Sequence, residues 1–172
     1  MRKLLVITAL LLFAGIVLGQ TSKESVVVGT FDSRVIAIAY YNTEAHMSYV
    51  EGLKTEHSEA EASGDTERVK ELEAIGEASQ ELAHKQAFST WPVNNILEII
   101  EGKIPEIAKQ ANVDLIVSKW NIVYQQSGVE FIDVTDVMVK LFNPDEQMLE
   151  MLEQIKKQPP VPLEELENME AK

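Results

Sequence analysis

The chain contains no cysteine. Disulfides, thiolate metal centres and a lipid-attachment cysteine are thereby excluded, and the chain must rest on a hydrophobic core or on oligomerisation. Basic residues are scarce: 15 Lys and Arg stand against 28 Asp and Glu, a net charge of −13. An acidic surface repels phosphate, so nucleic acid and anionic lipid are poor partners. Histidine is limited to His46, His57 and His84, without the close spacing of a ligand set, and the three read as solvated side chains. A glycine-rich phosphate loop, an HExxH-like spacing and a recognisable nucleophile motif are all missing. Long apolar runs are missing too, except at the start.

That start is informative. Arg2 and Lys3 precede an uncharged apolar run from Leu4 to Leu18, with Val17 and Gly19 at the small-residue positions of a cleavage site and polar QTSKES beyond. The pattern predicts a secretory signal peptide over 1–19, because a membrane span needs roughly 20 apolar residues and this run is shorter. Cleavage there removes Arg2 and Lys3 and no acidic residue, leaving 13 basic against 28 acidic side chains in 153 residues, a net charge of −15. That length suffices for one domain with a modest core.

Beyond the leader, VVVGTF (Val26 to Phe31) is β-branched and aromatic and reads as a buried strand ending at Asp32. SRVIAIAYY after it is ambiguous. Its alternation fits a second strand, while Val35, Ile38 and Ala39 also share a helical face that Asp32 or Ser33 would cap. From Asn42 to about Phe88 the composition is that of helix, with sparse apolar positions. Val50, Leu53, His57 and Ala60 repeat with a narrow, coiled-coil spacing, and Leu72, Ile75, Ser79 and Leu82 repeat it after the break at ASGDT. Gly64 suits a helix end and Asp65 the next helix start, which makes a helical hairpin. Seams this narrow predict arms that project from the body.

STWPVNN interrupts the pattern at Trp91-Pro92. The helix that follows carries a broad stripe (Ile96, Leu97, Ile100, Ile104, Ile107, Ala108) and is expected to kink or split near Gly102 and Pro105. DLIVS and NIVYQ flank Lys119-Trp120 like a tight hairpin, and VEFID reads as a further strand. Across Asp133 and Asp136 the apolar period changes from two to three and four, so Asp133 or Thr135 caps a helix and Asp136 sits in its first turn. DEQMLEMLEQIKK forms another short helix, and QPPVP ends it.

The run of VVVGTFDSRVI near the start, then DLIV, a turn, a strand and IDVTDVMVKLFN, resembles the OmpH/Skp family of periplasmic chaperones. The resemblance implies a small antiparallel β body (26–32 and 113–142) carrying a long helical hairpin (33–111) within a domain spanning 20–158; the acidic, Pro-rich tail over 159–172 is an addition to the family pattern. It implies that SRVIAIAYY is helical, that the body trimerises, and that the arms enclose non-native outer-membrane proteins in the periplasm. The arms of that family are often basic, whereas this chain is acidic.

The fold expected is therefore α+β with coiled-coil-like arms, and the function a non-enzymatic holdase without cofactor or metal. Val50, Leu53, Leu72, Ile75 and Leu82 are expected to hold the arm together and, with Tyr40, Tyr41 and Tyr49 at its root, to meet the partner. Trp91 and Trp120 fall at breaks, where they either close the core or stand out as anchors. Two other functions fit the same residues: a secreted interaction module whose acidic helices bind a cationic partner, and a small hydrolase using the strand-end carboxylates Asp32, Asp114, Asp133 and Asp136. Each of those aspartates has a turn or cap to serve as well.

Overall fold

The structure, a computed structural model, describes residues 26–161. The expected leader over 1–19 lies outside the described residues, as does the tail beyond Val161. Among the described residues no helix is long and apolar enough to cross a membrane.

The chain opens with strand β1 (Val28–Phe31) and runs directly into helix α1 (Ser33–Tyr41). SRVIAIAYY is thus a helix. Its ambiguity has a physical cause: Ser33, Arg34, Val35, Ile36, Ala37 and Ala39 are all buried, so no polar face marks the helical period. Helices α2 (Glu44–Ser63) and α3 (Thr66–Ala87) form the hairpin. Gly64 ends α2 at φ 75°, donating to Ala60 and Glu61 carbonyls, and the Asp65 side chain accepts from the Arg68 amide to start α3. Helix α4 (Asn94–Ile100) is separated from α5 (Ile104–Ala111) by a 3-10 turn at Glu101–Lys103, with Pro105 in the first turn of α5. Strands β2 (Leu115–Ser118) and β3 (Phe131–Asp133), helix α6 (Thr135–Val139) and helix α7 (Glu146–Lys156) complete the described chain.

The sheet corrects the expected topology. Its order is β2-β1-β3 and both pairings are parallel, with Val28 opposite Leu115 on one side and Phe131 on the other. The antiparallel body fails at Lys119-Trp120. A two-residue hairpin needs residues that accept positive φ, such as Asn-Gly, and Lys-Trp supplies neither. The chain instead makes a 3-10 turn over Lys119–Asn121, in which Trp120 is tied to Asp32. NIVYQ consequently has no strand partner among the described residues, and the segment from Ile122 to Glu130 carries the backbone across to the far edge, so that β3 runs alongside β1 in the same direction.

The core forms around α1. Val35 and Ile36 meet Ile96 and Ile100 of α4, Val134, Met138 and Val139 of the α6 region, and Leu152 of α7. Burying eight such side chains, at roughly 1.5–3 kcal/mol each, is the main favourable contribution to a body this small. The arms contribute little to it, since only Ala60, Leu72 and Gln86 are fully buried in α2 and α3.

Gly29 permits the closest approach in the sheet. A Cβ there would lie 3.0 Å from Ile116 Cγ1, 3.1 Å from Val113 Cγ2 and 3.3 Å from the Leu115 carbonyl oxygen. Gly29→Ala is therefore expected to destabilise the chain by about 1–3 kcal/mol through overpacking, whereas Gly52→Ala, which meets nothing within 4 Å, should stabilise α2; urea unfolding of the two variants checks the contrast.

Candidate functional site

Four carboxylates at strand ends are candidates for acid and base work, and each is engaged. Asp32 follows β1 and is wholly buried. Its Oδ1 accepts from the Arg34 amide (3.1 Å), Arg34 Nε (3.1 Å) and Trp120 Nε1 (2.8 Å), and its Oδ2 accepts from Arg34 Nη2 (2.9 Å) and pairs with Lys119 Nζ (2.8 Å). The backbone amide of Asp32 donates to Thr135 Oγ1 at 3.0 Å. Both cations also lie against the Trp120 ring, Arg34 at 4.7 Å and Lys119 at 4.6 Å from its centroid. Burial pushes the Asp32 carboxyl up, but the hydrogen bonds from Arg34, Lys119 and Trp120 outweigh it and hold the pKa at about 2 against an ordinary 3.8. A group so far from neutral pH and so fully bonded is a poor proton carrier.

The other three have local partners. Asp114 Oδ2 accepts from the Val27 amide at 2.8 Å, fastening β2 to the start of β1. Asp133 Oδ1 accepts from the Thr135 amide at 2.8 Å, at the turn from β3 into α6. Asp136 pairs with Lys156 of α7 at 2.6 Å. A hydrolase that used these carboxylates would have to break the fold's own contacts to do so.

The histidines do not converge. His57 Nδ1 lies 3.6 Å from Glu61 and its Nε2 3.7 Å from Glu73, one carboxylate on each nitrogen. Among the described residues no three His, Cys, Asp or Glu side chains come together as a metal site. His46 sits within the aromatic cluster at the arm root, 5.2 Å from Tyr40 and 4.9 Å from Tyr41 between ring centroids, and burial pushes its pKa down, which favours the neutral ring.

The arm root is where the expected partner residues gather. Tyr40 and Tyr41 are half-buried, packed edge to face at 5.2 Å, and Tyr49 is half-exposed beside His46. Tyr41 donates to Gln86 Oε1 at 2.6 Å, and Gln86 donates in turn to the Pro92 carbonyl and Asn95 Oδ1, each at 2.6 Å. That buried amide ties the end of the arm to the body. Sequence reasoning missed it, as it missed Arg34, since neither residue type carries a local signal of burial. Val50 and Leu53 of α2 and Leu72 of α3 line a groove of about 550 Å³ between the arm helices, where Gly76, Ser79 and Ala83 continue the α3 wall. Ile75 does not join them; it is 38% exposed, because Gly76 takes the position facing α2. Leu82 instead lines a cavity of about 350 Å³ with Tyr41, Tyr49 and Ile99.

A larger cavity of about 900 Å³ opens on the other side of the root. Tyr40, Met47, Ile99, Leu141, Phe142 and Met148 supply its apolar lining. Glu44, Glu51 and Asp145 are the charged side chains there, and it contains no Lys, Arg or His. Thioethers adapt to varied apolar shapes, so such a wall suits side chains of differing outline.

Two outcomes follow from the carboxylate geometry. Because the Asp32 pKa is lowered on folding, its contribution is fully present above the unfolded value of 3.8 and is lost as pH falls through about 2. From pH about 5 to about 2 the native chain should lose about 2 kcal/mol of stability more than Asp32→Asn does, measured by urea unfolding across that range. At the second joint the helix N-cap is Val134, without a side-chain cap bond, rather than the expected Asp133 or Thr135; Asp133→Ala should still cost about 1 kcal/mol at neutral pH, the usual worth of the one hydrogen bond it accepts from the Thr135 amide.

In comparisons with family models, curated proteins and solved structures, nothing matches this chain.

Proposed function

We propose that the chain is an exported, non-catalytic holdase of the OmpH/Skp kind, which binds non-native polypeptide at the root of its helical hairpin and self-associates through its body. The observation that carries the reading is the apolar surface gathered where the arms leave the body. Met47 and Ile99, each 60% exposed, stand beside the cavity that Phe142 and Met148 line. Exposed apolar area of this kind, next to a hairpin with almost no core of its own, fits a surface that captures partners rather than one that supports the fold.

The charge of the site favours the reading in which clients carry positive charge next to their apolar groups. Three carboxylates and no basic side chain border the cavity, in a chain of net charge −13. Opposite charge raises encounter rates and rejects acidic chains. The engaged state of Asp32, Asp114, Asp133 and Asp136 weighs against the hydrolase reading.

Self-association draws support from the segment after β2. Val123 is 99% and Tyr124 82% exposed, within a run whose composition is that of a strand and whose backbone finds no ladder partner among the described residues. Strand-forming residues left unpaired beside a sheet edge are a template for pairing with another copy, and the family resemblance sets the expected number of copies at three.

A urea-denatured outer-membrane β-barrel protein diluted into buffer tests the function by light scattering. The purified protein should suppress aggregation at near-stoichiometric amounts, more strongly at low salt than at high. Met47→Glu with Ile99→Glu should abolish the effect without lowering the melting temperature, since both side chains are exposed. Light scattering coupled to size exclusion should show an oligomer that Val123→Glu with Tyr124→Glu dissociates. A monomer without effect on aggregation would sink the proposal.

A further inference from the structure

The parallel sheet creates a place that the holdase reading does not use. In open parallel sheets, ligands bind in the crevice beyond the carboxyl ends of the strands. At the ends of β1 and β2 lies a cavity of about 470 Å³, within the range of small-molecule sites. Phe31 and Ser118, paired across the two strands, form part of its wall. Ser33 and Leu97, the stretch from Ser89 to Asn94, Ile116 and Val117 of β2, and Asn121 and Ile122 after it form the rest.

Its chemistry is unlike the remainder of the molecule. A quarter of the chain's residues are charged, yet none of the fourteen that line this cavity is. The polar groups are hydroxyls and amides: Ser33, Ser89, Thr90, Asn94, Ser118 and Asn121. The Asn94 and Asn121 side chains make no hydrogen bond among the described residues, and each amide offers two donors and an acceptor. Among the described residues Ser118 Oγ is buried without a hydrogen-bond partner, a costly arrangement for a hydroxyl. Ser89 is held in the left-handed region at φ 61°, with its Oγ 3.1 Å from Ser33 Oγ. That conformation closes α3, since the Ser89 amide donates to the Gln86 carbonyl and the Thr90 amide to the Lys85 carbonyl.

Beside these groups stands Trp91, 53% exposed, with Lys85 Nζ 5.5 Å from its ring centroid. The indole therefore does not close the core, and more than half of it faces solvent. A flat apolar ring next to uncharged donors and acceptors matches a ligand with an apolar C–H face and a rim of hydroxyls.

We infer that the cavity at the carboxyl ends of β1 and β2 binds a neutral polyhydroxylated ligand, a saccharide in chemical class, stacked on Trp91 and hydrogen-bonded by Asn94 and Asn121. Cationic ligands are disfavoured, since no carboxylate is among the lining residues and the nearby charge on Trp91 is that of Lys85. The site is separate from the arm root, so it stands or falls independently of client binding.

The test is a titration of the purified, 15N-labelled protein with maltose, cellobiose and diacetylchitobiose, followed by the two indole N–H resonances. With at least one sugar the Trp91 resonance, identified by its absence in Trp91→Phe, should shift saturably while that of Trp120, bonded to Asp32, stays in place. Asn121→Ala, at an exposed position, should weaken binding at least about fivefold, the scale of one lost neutral hydrogen bond. Absence of a saturable shift with all three sugars would overturn the inference. So would binding unchanged in both Trp91→Ala and Asn121→Ala.

Discussion

A single buried carboxylate holds the body together. Asp32 ends the central strand, caps the central helix, and receives Arg34, Lys119 and Trp120. Its backbone amide reaches Thr135 at the start of α6. Arg34 extends the network further, donating to the carbonyls of Ile155 and Gln158 at the end of α7. Segments far apart in the chain thus converge on one residue of zero exposure. A buried charge is tolerable only when its lone pairs are filled, and here two cations and an indole fill them. The requirement is reciprocal: Arg34, itself 5% exposed, would be equally costly without the carboxylate. Such a hub fixes which strands may be neighbours and leaves little freedom to the elements attached to it.

Rigidity at the hub contrasts with the arms. Their helices are secured by caps at the tip and by Gln86 at the base, with a groove rather than a packed seam between. Ion pairs such as Arg68 with Glu56 and Glu71 decorate the exposed surface and contribute little individually. A body that is closed around α1 and arms that are open along their length place the adaptable surface at the junction, where Tyr40, His46 and Tyr49 cluster.

Local features were legible from the amino acids alone. The tip at Gly64 and Asp65, the break at Trp91-Pro92, the interruption near Gly102 and Pro105, and the joint at Asp133 all depend on residues within a turn of one another. Strand direction was not legible, because it turns on the indole of Trp120 finding a carboxylate 88 positions earlier. The helical state of SRVIAIAYY was hidden by the burial of its polar and apolar residues alike from Ser33 to Ala37. The arm seam was half legible: Val50, Leu53 and Leu72 line the groove, but the choice between Ile75 and Gly76 as the inward residue depends on how far α3 is rotated against α2, which spacing leaves open by one position. The candidate saccharide site was least visible, being made of Ser, Thr and Asn from four separate stretches, residue types that read individually as loop.

The placement of the hairpin between the first two strands sets an order on folding. β1 is complete at Phe31, yet its neighbours arrive only after Asp114, whose bond to Val27 spans 87 positions, and after Phe131. Closing so long a loop is slow, while the hairpin of α2 and α3 needs only contacts between residues near in sequence. The arms can therefore stand as formed helices while the central strand still waits for both partners, so a chain emerging from its amino end carries an unpaired VVVGTF until its last third has arrived. Asp32 is in the same position: until Lys119 and Trp120 are delivered it remains a solvated aspartate beside Arg34, and the sheet can lock only when the distant turn closes over it.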